Sequence, residues 1–117
     1  MKNVLVVDDE IDILDSVEAV LEIDGYNVSR CSDPMKAIAA MKAKKPDLLI
    51  LDVMMPVRTG PEILLEMKSH PELLSIPCIL MSAGTTTNYD QKVYKWDVFM
   101  KKPFDLEDLL SNVKKLI

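Results

Sequence analysis

Five short apolar runs, each stopped by a polar residue and followed by a stretch of helical periodicity, constrain this chain more than any other feature. The first, Asn3 to Val7, is continuous rather than alternating and ends at Asp8, Asp9 and Glu10. Continuous hydrophobicity predicts a strand covered on both faces, as in a parallel sheet. Tyr26 to Arg30, Asp47 to Leu51, Ile76 to Met81 and Val98 to Met100 predict four more strands. The intervening spacing predicts helices. Ile11, Leu14, Val17 and Leu21 mark one from Glu10 to Ile23, closed by Gly25. Asp33 and Pro34 begin another that carries Ala37, Ile38 and Met41 and stops before Pro46. Gly60 and Pro61 open a third with Ile63, Leu64 and Met67. A fourth is expected from about Thr87 to Lys95, with Tyr89, Val93 and Trp96 along one side. Asp105 caps the last, whose Leu106, Leu109, Leu110, Val113, Leu116 and Ile117 give the cleanest amphipathic pattern. Five strands alternating with five helices, in units of ~20 to 25 residues, predict an α/β fold with a doubly wound five-stranded parallel sheet.

Composition narrows the function classes. With 117 residues the chain is expected to form one domain over 1–117, with a core that needs no staples. Cys31 and Cys78 lie in apolar stretches, and no signal peptide is recognised at the N-terminus, so both are expected to be reduced, buried thiols of a cytoplasmic protein. The longest uncharged stretch, Ser75 to Tyr89, is broken by Pro77, Ser82, Gly84 and three threonines, so no membrane span is expected. Fourteen basic and 19 acidic side chains leave a net charge of −5, which argues against direct nucleic-acid binding. The one basic cluster, Lys42, Lys44 and Lys45, ends a predicted helix, where cations complement the dipole. His70, beside Pro71, is expected in a surface loop.

The residues that stop the strands carry the chemistry. In open α/β sheets ligands bind beyond the carboxyl ends of the strands, where the winding reverses. The first run ends in Asp8 and Asp9, the third in Asp52, the fourth in Ser82, and the fifth reaches Lys102. In strand order 2-1-3-4-5 the first and third strands are neighbours, so three carboxylates converge. Like charges held that close take up protons or bind a cation. Mg²⁺ suits an all-oxygen set, and it commonly combines one or two carboxylates with phosphate oxygens. Lys102 adds an ammonium and Ser82 a hydroxyl. The set describes a site at which a carboxylate attacks phosphorus. Singly, Asp8, Asp9 or Asp33 reads as a helix cap, Ser82 as a turn residue and Lys102 as a solvated charge. Their joint placement at strand ends is what those readings do not explain.

Four motifs then resemble the receiver domain of two-component response regulators over the whole length: Val4-Leu5-Val6-Val7-Asp8-Asp9-Glu10, Asp52-Val53-Met54-Met55-Pro56 with Gly60 eight residues after Asp52, Ser82-Ala83, and Lys102-Pro103-Phe104. The resemblance implies a flavodoxin-like sheet of order 2-1-3-4-5 flanked by five helices. It implies that Asp52 is the phosphoacceptor, and that Asp9 binds Mg²⁺ directly, Asp8 mainly through water and Met54 through its backbone carbonyl. Lys102 is expected to contact the phosphoryl group and Ser82 to hydrogen-bond it, while Phe99 matches the aromatic that turns inward with that hydroxyl. The implied donor is a phosphohistidine on a sensor histidine kinase or histidine phosphotransfer protein. The implied output is a changed surface for a downstream protein partner or effector domain. Such a chain is no enzyme beyond catalysing its own phosphorylation and dephosphorylation.

Lys95 and Trp96 stand where family members commonly have Gly-Ala, and the segment from Ser82 to Lys102 is about two residues short of the family norm, so the fourth helix is expected to be brief and to lack a glycine cap. A haloacid-dehalogenase-like phosphatase needs an acid two residues after its nucleophile, where Asp52 is followed by Met54. A flavodoxin-like electron carrier needs a phosphate-cradling first loop, which Asp8, Asp9 and Glu10 oppose. A phosphorylation-independent interaction module with the receiver fold commonly lacks a site residue, and here the set is complete.

Overall fold

The computed structural model describes residues 2–84 and 89–117. Strands β1 (Asn3–Val7), β2 (Asn27–Cys31), β3 (Leu48–Asp52), β4 (Cys78–Ser82) and β5 (Val98–Lys101) form one parallel sheet of order β2-β1-β3-β4-β5. The expected flavodoxin-like order is therefore present. Helices α1 (Ile11–Ile23), α2 (Ala37–Lys44), α3 (Gly60–Met67), α4 (Gln91–Tyr94) and α5 (Leu106–Leu116) alternate with the strands.

Strand alternation divides the core into two layers. Leu5, Val7, Leu49, Leu51, Cys78 and Leu80 point one way, onto Ile38 and Met41 of α2 and Ile63, Leu64 and Met67 of α3. Val4, Val6, Leu48, Ile50, Ile79 and Met81 point the other way, onto Leu14, Val17 and Leu21 of α1 and Leu109 and Val113 of α5. Both faces of β3 and β4 are buried, which explains their unbroken hydrophobic runs. The chain covers one face after β1 and the other after β2, so the winding reverses between β1 and β3.

Several boundaries differ from expectation. β3 ends at Asp52 rather than Leu51, and β4 starts at Cys78 rather than Ile76. Asp33 does cap the second helical segment, but through a single 3₁₀ turn, Pro34–Lys36, ahead of α2. The fourth helix is the largest change: it is confined to Gln91–Tyr94, and the expected Thr87 start lies outside the described residues. Trp96 is not on that helix. It is buried in the layer with α2 and α3, whereas Val93 is exposed, so Tyr89, Val93 and Trp96 do not share one buried stripe. Lys95 takes the left-handed conformation, φ 60°, at the helix end where the glycine is missing. Both cysteines are free and buried, as expected. Among the described residues no helix is long and apolar enough to cross a membrane.

At the amino end of the sheet two aspartates latch strands together. Asp47 Oδ2 accepts the Asn3 N–H at 2.8 Å, and Asp97 Oδ2 accepts the Cys78 N–H at 2.8 Å. Their own N–H groups donate to the carbonyls of the same two residues.

Candidate functional site

Strand register places the acids. Val7 pairs with Leu51, so the next residues, Asp8 and Asp52, leave neighbouring strands side by side. Both are buried, at 0% and 3% exposure. Ser82 pairs with Lys101, and the Lys102 N–H donates to the Ser82 carbonyl at 2.8 Å. That bond delivers the Lys102 side chain to the crevice. The peptide bond that follows, Lys102–Pro103, is cis.

One ammonium ties the site together. Lys102 Nζ lies 2.9 Å from Asp8 Oδ2, 3.3 Å from Asp52 Oδ1 and 3.5 Å from Glu10 Oε1. Asp8 Oδ1 accepts the Glu10 backbone N–H at 2.9 Å. Burial raises the Asp52 carboxyl most, Asp8 raises it further and Asp9 a little, while Lys102 opposes them; the net effect is a push up to about 7. Burial pulls the Lys102 ammonium down, yet its bond to Asp8 and the charges of Asp52, Asp8 and Glu10 leave it above its ordinary value.

The carboxylates meet the requirements of a hard cation. One oxygen each from Asp8, Glu10 and Asp52 lie within 4.8 Å of one another. This compact oxygen set, containing two buried carboxylates, could hold a divalent metal ion. Asp9, half-buried beside it, is not in that trio, although its charge reaches Asp52. Glu10 takes the third place, a position that sequence reasoning did not give it. The signal was the acidic run itself, whose third member lies exposed at the rim of the crevice with one oxygen near Lys102.

The remaining expected residues surround this centre. Ser82 is buried at the end of β4, and its Oγ accepts the Gly84 N–H at 3.0 Å, leaving the hydroxyl proton free to donate. Phe99 is half-buried in β5 and packs against the core layer that holds Trp96. The Met54 side chain is exposed just past β3.

The loop from β3 to α3 is built around a close approach. A Cβ at Gly60 would stand 2.3 Å from the Asp52 carbonyl oxygen, so no side chain fits there without backbone movement. The Gly60 N–H also donates to the Val53 carbonyl at 2.8 Å. Thr59 and Glu62 form a reciprocal capping box that fixes the start of α3. Between them and Asp52, Val57 has φ 72°, and the Arg58 N–H donates to the Pro56 carbonyl. His70, expected at the surface, is half-buried, with Glu66 and Glu72 at 3.7 and 3.8 Å.

A groove of about 490 Å³ adjoins the crevice, lined by Glu10, Ile13, Val17, Lys102, Phe104 and Leu106 among others. It shares both its charged residues with the site, and its other walls are mostly apolar.

Comparison with known proteins places the chain in a family. The family model of the response regulator receiver domain matches residues 4–114. The chain is 33% identical to the response regulator SaeR of Staphylococcus aureus, with all of this chain and 51% of that protein covered. It is 30% identical to the DNA-binding dual master transcriptional regulator RpaA of a Synechocystis species, covering 100% of this chain and 49% of that one. The chain thus spans about half the length of the curated relatives it matches. Among solved structures, chemotaxis protein CheY4 of Vibrio cholerae superposes with a TM-score of 0.92 at 29% identity, covering 100% and 99% of the two chains. The response regulator TrrA of Thermotoga maritima, crystallised in complex with Mg²⁺-BeF, gives 0.87 at 30% identity over the whole of both chains.

Proposed function

The chain belongs to the response regulator receiver domain family, and from that premise we propose that Asp52 accepts a phosphoryl group from a histidine phosphodonor in a Mg²⁺-dependent reaction. One observation carries the proposal: Asp52 is buried at the winding reversal, facing a lysine ammonium at 3.3 Å and a second buried carboxylate beside it. An Asp52 oxygen attacks phosphorus. The bond from phosphorus to the donor imidazole nitrogen breaks, that nitrogen keeps the electron pair, and the product is an aspartyl phosphate.

The chain's own residues divide the work. Asp8, Asp9 and Asp52, with the backbone carbonyl of Met54, would hold Mg²⁺, which would supply positive charge to the crevice and to the phosphoryl oxygens. Glu10, the third acid of the compact trio, would stay with Lys102 rather than the ion. Lys102 moves from Asp8 and Asp52 to a phosphoryl oxygen, since the new oxygens carry more charge than the one Asp52 brought. The Ser82 hydroxyl donates to another, and its departure from the Gly84 N–H leaves space toward which Phe99 turns. The switch then changes the surface around α4 and β5 for a protein partner or effector domain. The groove beside Lys102 is where the sensor kinase or phosphotransfer protein approaches. The domain spans 1–117, acts in the cytoplasm, and turns over no substrate but its own phosphoryl group.

The test is intact mass after incubation with Mg²⁺ and a small acyl phosphate. The parent is expected to gain one phosphoryl group and Asp52→Asn none. An unlabelled parent, or a fully labelled variant, overturns the proposal.

A further inference from the structure

Glu10 stands at the N-cap of α1, yet its side chain makes no cap hydrogen bond. Thr59, Asp90 and Asp105, at the same position of α3, α4 and α5, each accept a backbone N–H of their own helix. The Glu10 carboxylate instead reaches across to Lys102, 3.5 Å away. The other two partners of that ammonium, Asp8 and Asp52, are buried oxygens needed for the cation and for the transfer itself. When those two are engaged, Lys102 loses both. Glu10, whose side chain is 61% exposed, is free to follow the lysine as it moves.

Resting on the reading of Asp52 as phosphoacceptor, we infer that Glu10 is a positioning residue for Lys102: its carboxylate anchors the ammonium at the mouth of the crevice, so that Lys102 can leave Asp8 and Asp52 without leaving the site. Glu10 makes and breaks no bond. Its backbone N–H holds Asp8 Oδ1, so the same residue fixes one carboxylate and tethers the cation that must release it.

A double-mutant cycle tests this, using the parent, Glu10→Gln, Lys102→Met and the double variant. Labelling by a small acyl phosphate is timed at saturating Mg²⁺. Glu10→Gln is expected to slow labelling about fivefold in the parent, the size of one exposed ion pair. It is expected to leave the residual rate of Lys102→Met unchanged, and Glu10→Asp is expected to recover part of the loss. Equal slowing in both backgrounds would mean that Glu10 acts through the metal or the fold, and that result overturns the inference, as does no slowing at all. The unfolding midpoints of the same four proteins without metal give a readout free of phosphorylation. Together the two substitutions are expected to lower the midpoint by about 2 °C less than the sum of their separate effects; strict additivity rejects the anchor. A parent that takes no label fails the phosphoacceptor reading instead, and the midpoints still decide whether Glu10 holds Lys102.

Discussion

The two ends of the sheet use the same residue type to opposite effect. At the amino end, Asp47 and Asp97 each accept the first amide of a neighbouring strand, at 2.8 Å in both cases. Their charge is spent on a fixed backbone donor. At the carboxyl end, Asp8 and Asp52 face each other, and they share the Lys102 ammonium with Glu10. Among the described residues no strand amide donates to the Asp52 carboxylate, and its carboxyl is pushed up to about 7. An aspartate whose carboxylate is spent on the first amide of a neighbouring strand is a latch. One that is buried against another acid, with only a movable cation for company, is poised to take a new charge.

Substitutions at either end separate the two roles, and the largest effect is expected where the crevice meets the backbone. Gly60→Ala puts a methyl group against the Asp52 carbonyl, so we expect a loss of about 3 kcal/mol by chemical denaturation. The Asp52 labelling rate should fall as well. A variant as stable as the parent would show that the loop yields freely. At the other end, Asp97→Ala leaves the Cys78 N–H without its acceptor and is expected to lose about 2 kcal/mol. Its labelling should be normal. A labelling defect at unchanged stability would erase the distinction between the two ends.

The pH dependence sharpens it. A carboxyl raised from 3.8 to about 7 favours the metal-free fold when protonated. That stabilising contribution is complete below about pH 3.8 and disappears as the pH rises through about 7. A cation needs the ionised form, so Mg²⁺ is expected to bind about tenfold more weakly at pH 6 than at pH 8 by calorimetry. Equal affinity at both values would contradict the poised state of Asp52. The smallest effect lies away from both ends: Lys95→Gly removes the left-handed penalty at the end of α4 and is expected to stabilise the fold by about 0.5 to 1 kcal/mol. Thermal unfolding reads it directly.

Much of this was legible in the chain. Two buried faces require continuous apolar strands, so the runs ending at Asp8 and Asp52 announced both the parallel sheet and its functional edge. Boundaries were less legible, because hydrophobicity does not reveal which amide pairs with which carbonyl. Ile76 is apolar but only packs against the layer that β4 enters at Cys78. Trp96 misled for a similar reason. Its spacing from Tyr89 fits a helix, but Lys95 reverses the chain first, and the indole enters the core from the loop. Glu10 was hidden by its neighbours, since composition cannot tell which of three consecutive acids is buried and which reaches the lysine from the rim. Asp47 and Asp97 gave no signal, because a latch needs a partner that only the register supplies.

Burial and partners, rather than residue type, are expected to select one aspartate, and mapping the phosphoryl group after labelling with Mg²⁺ and a small acyl phosphate reads that selection. Modification is expected at Asp52 and at none of Asp8, Asp9, Asp47 or Asp97. A label on any of those four, or no label on Asp52, would contradict it.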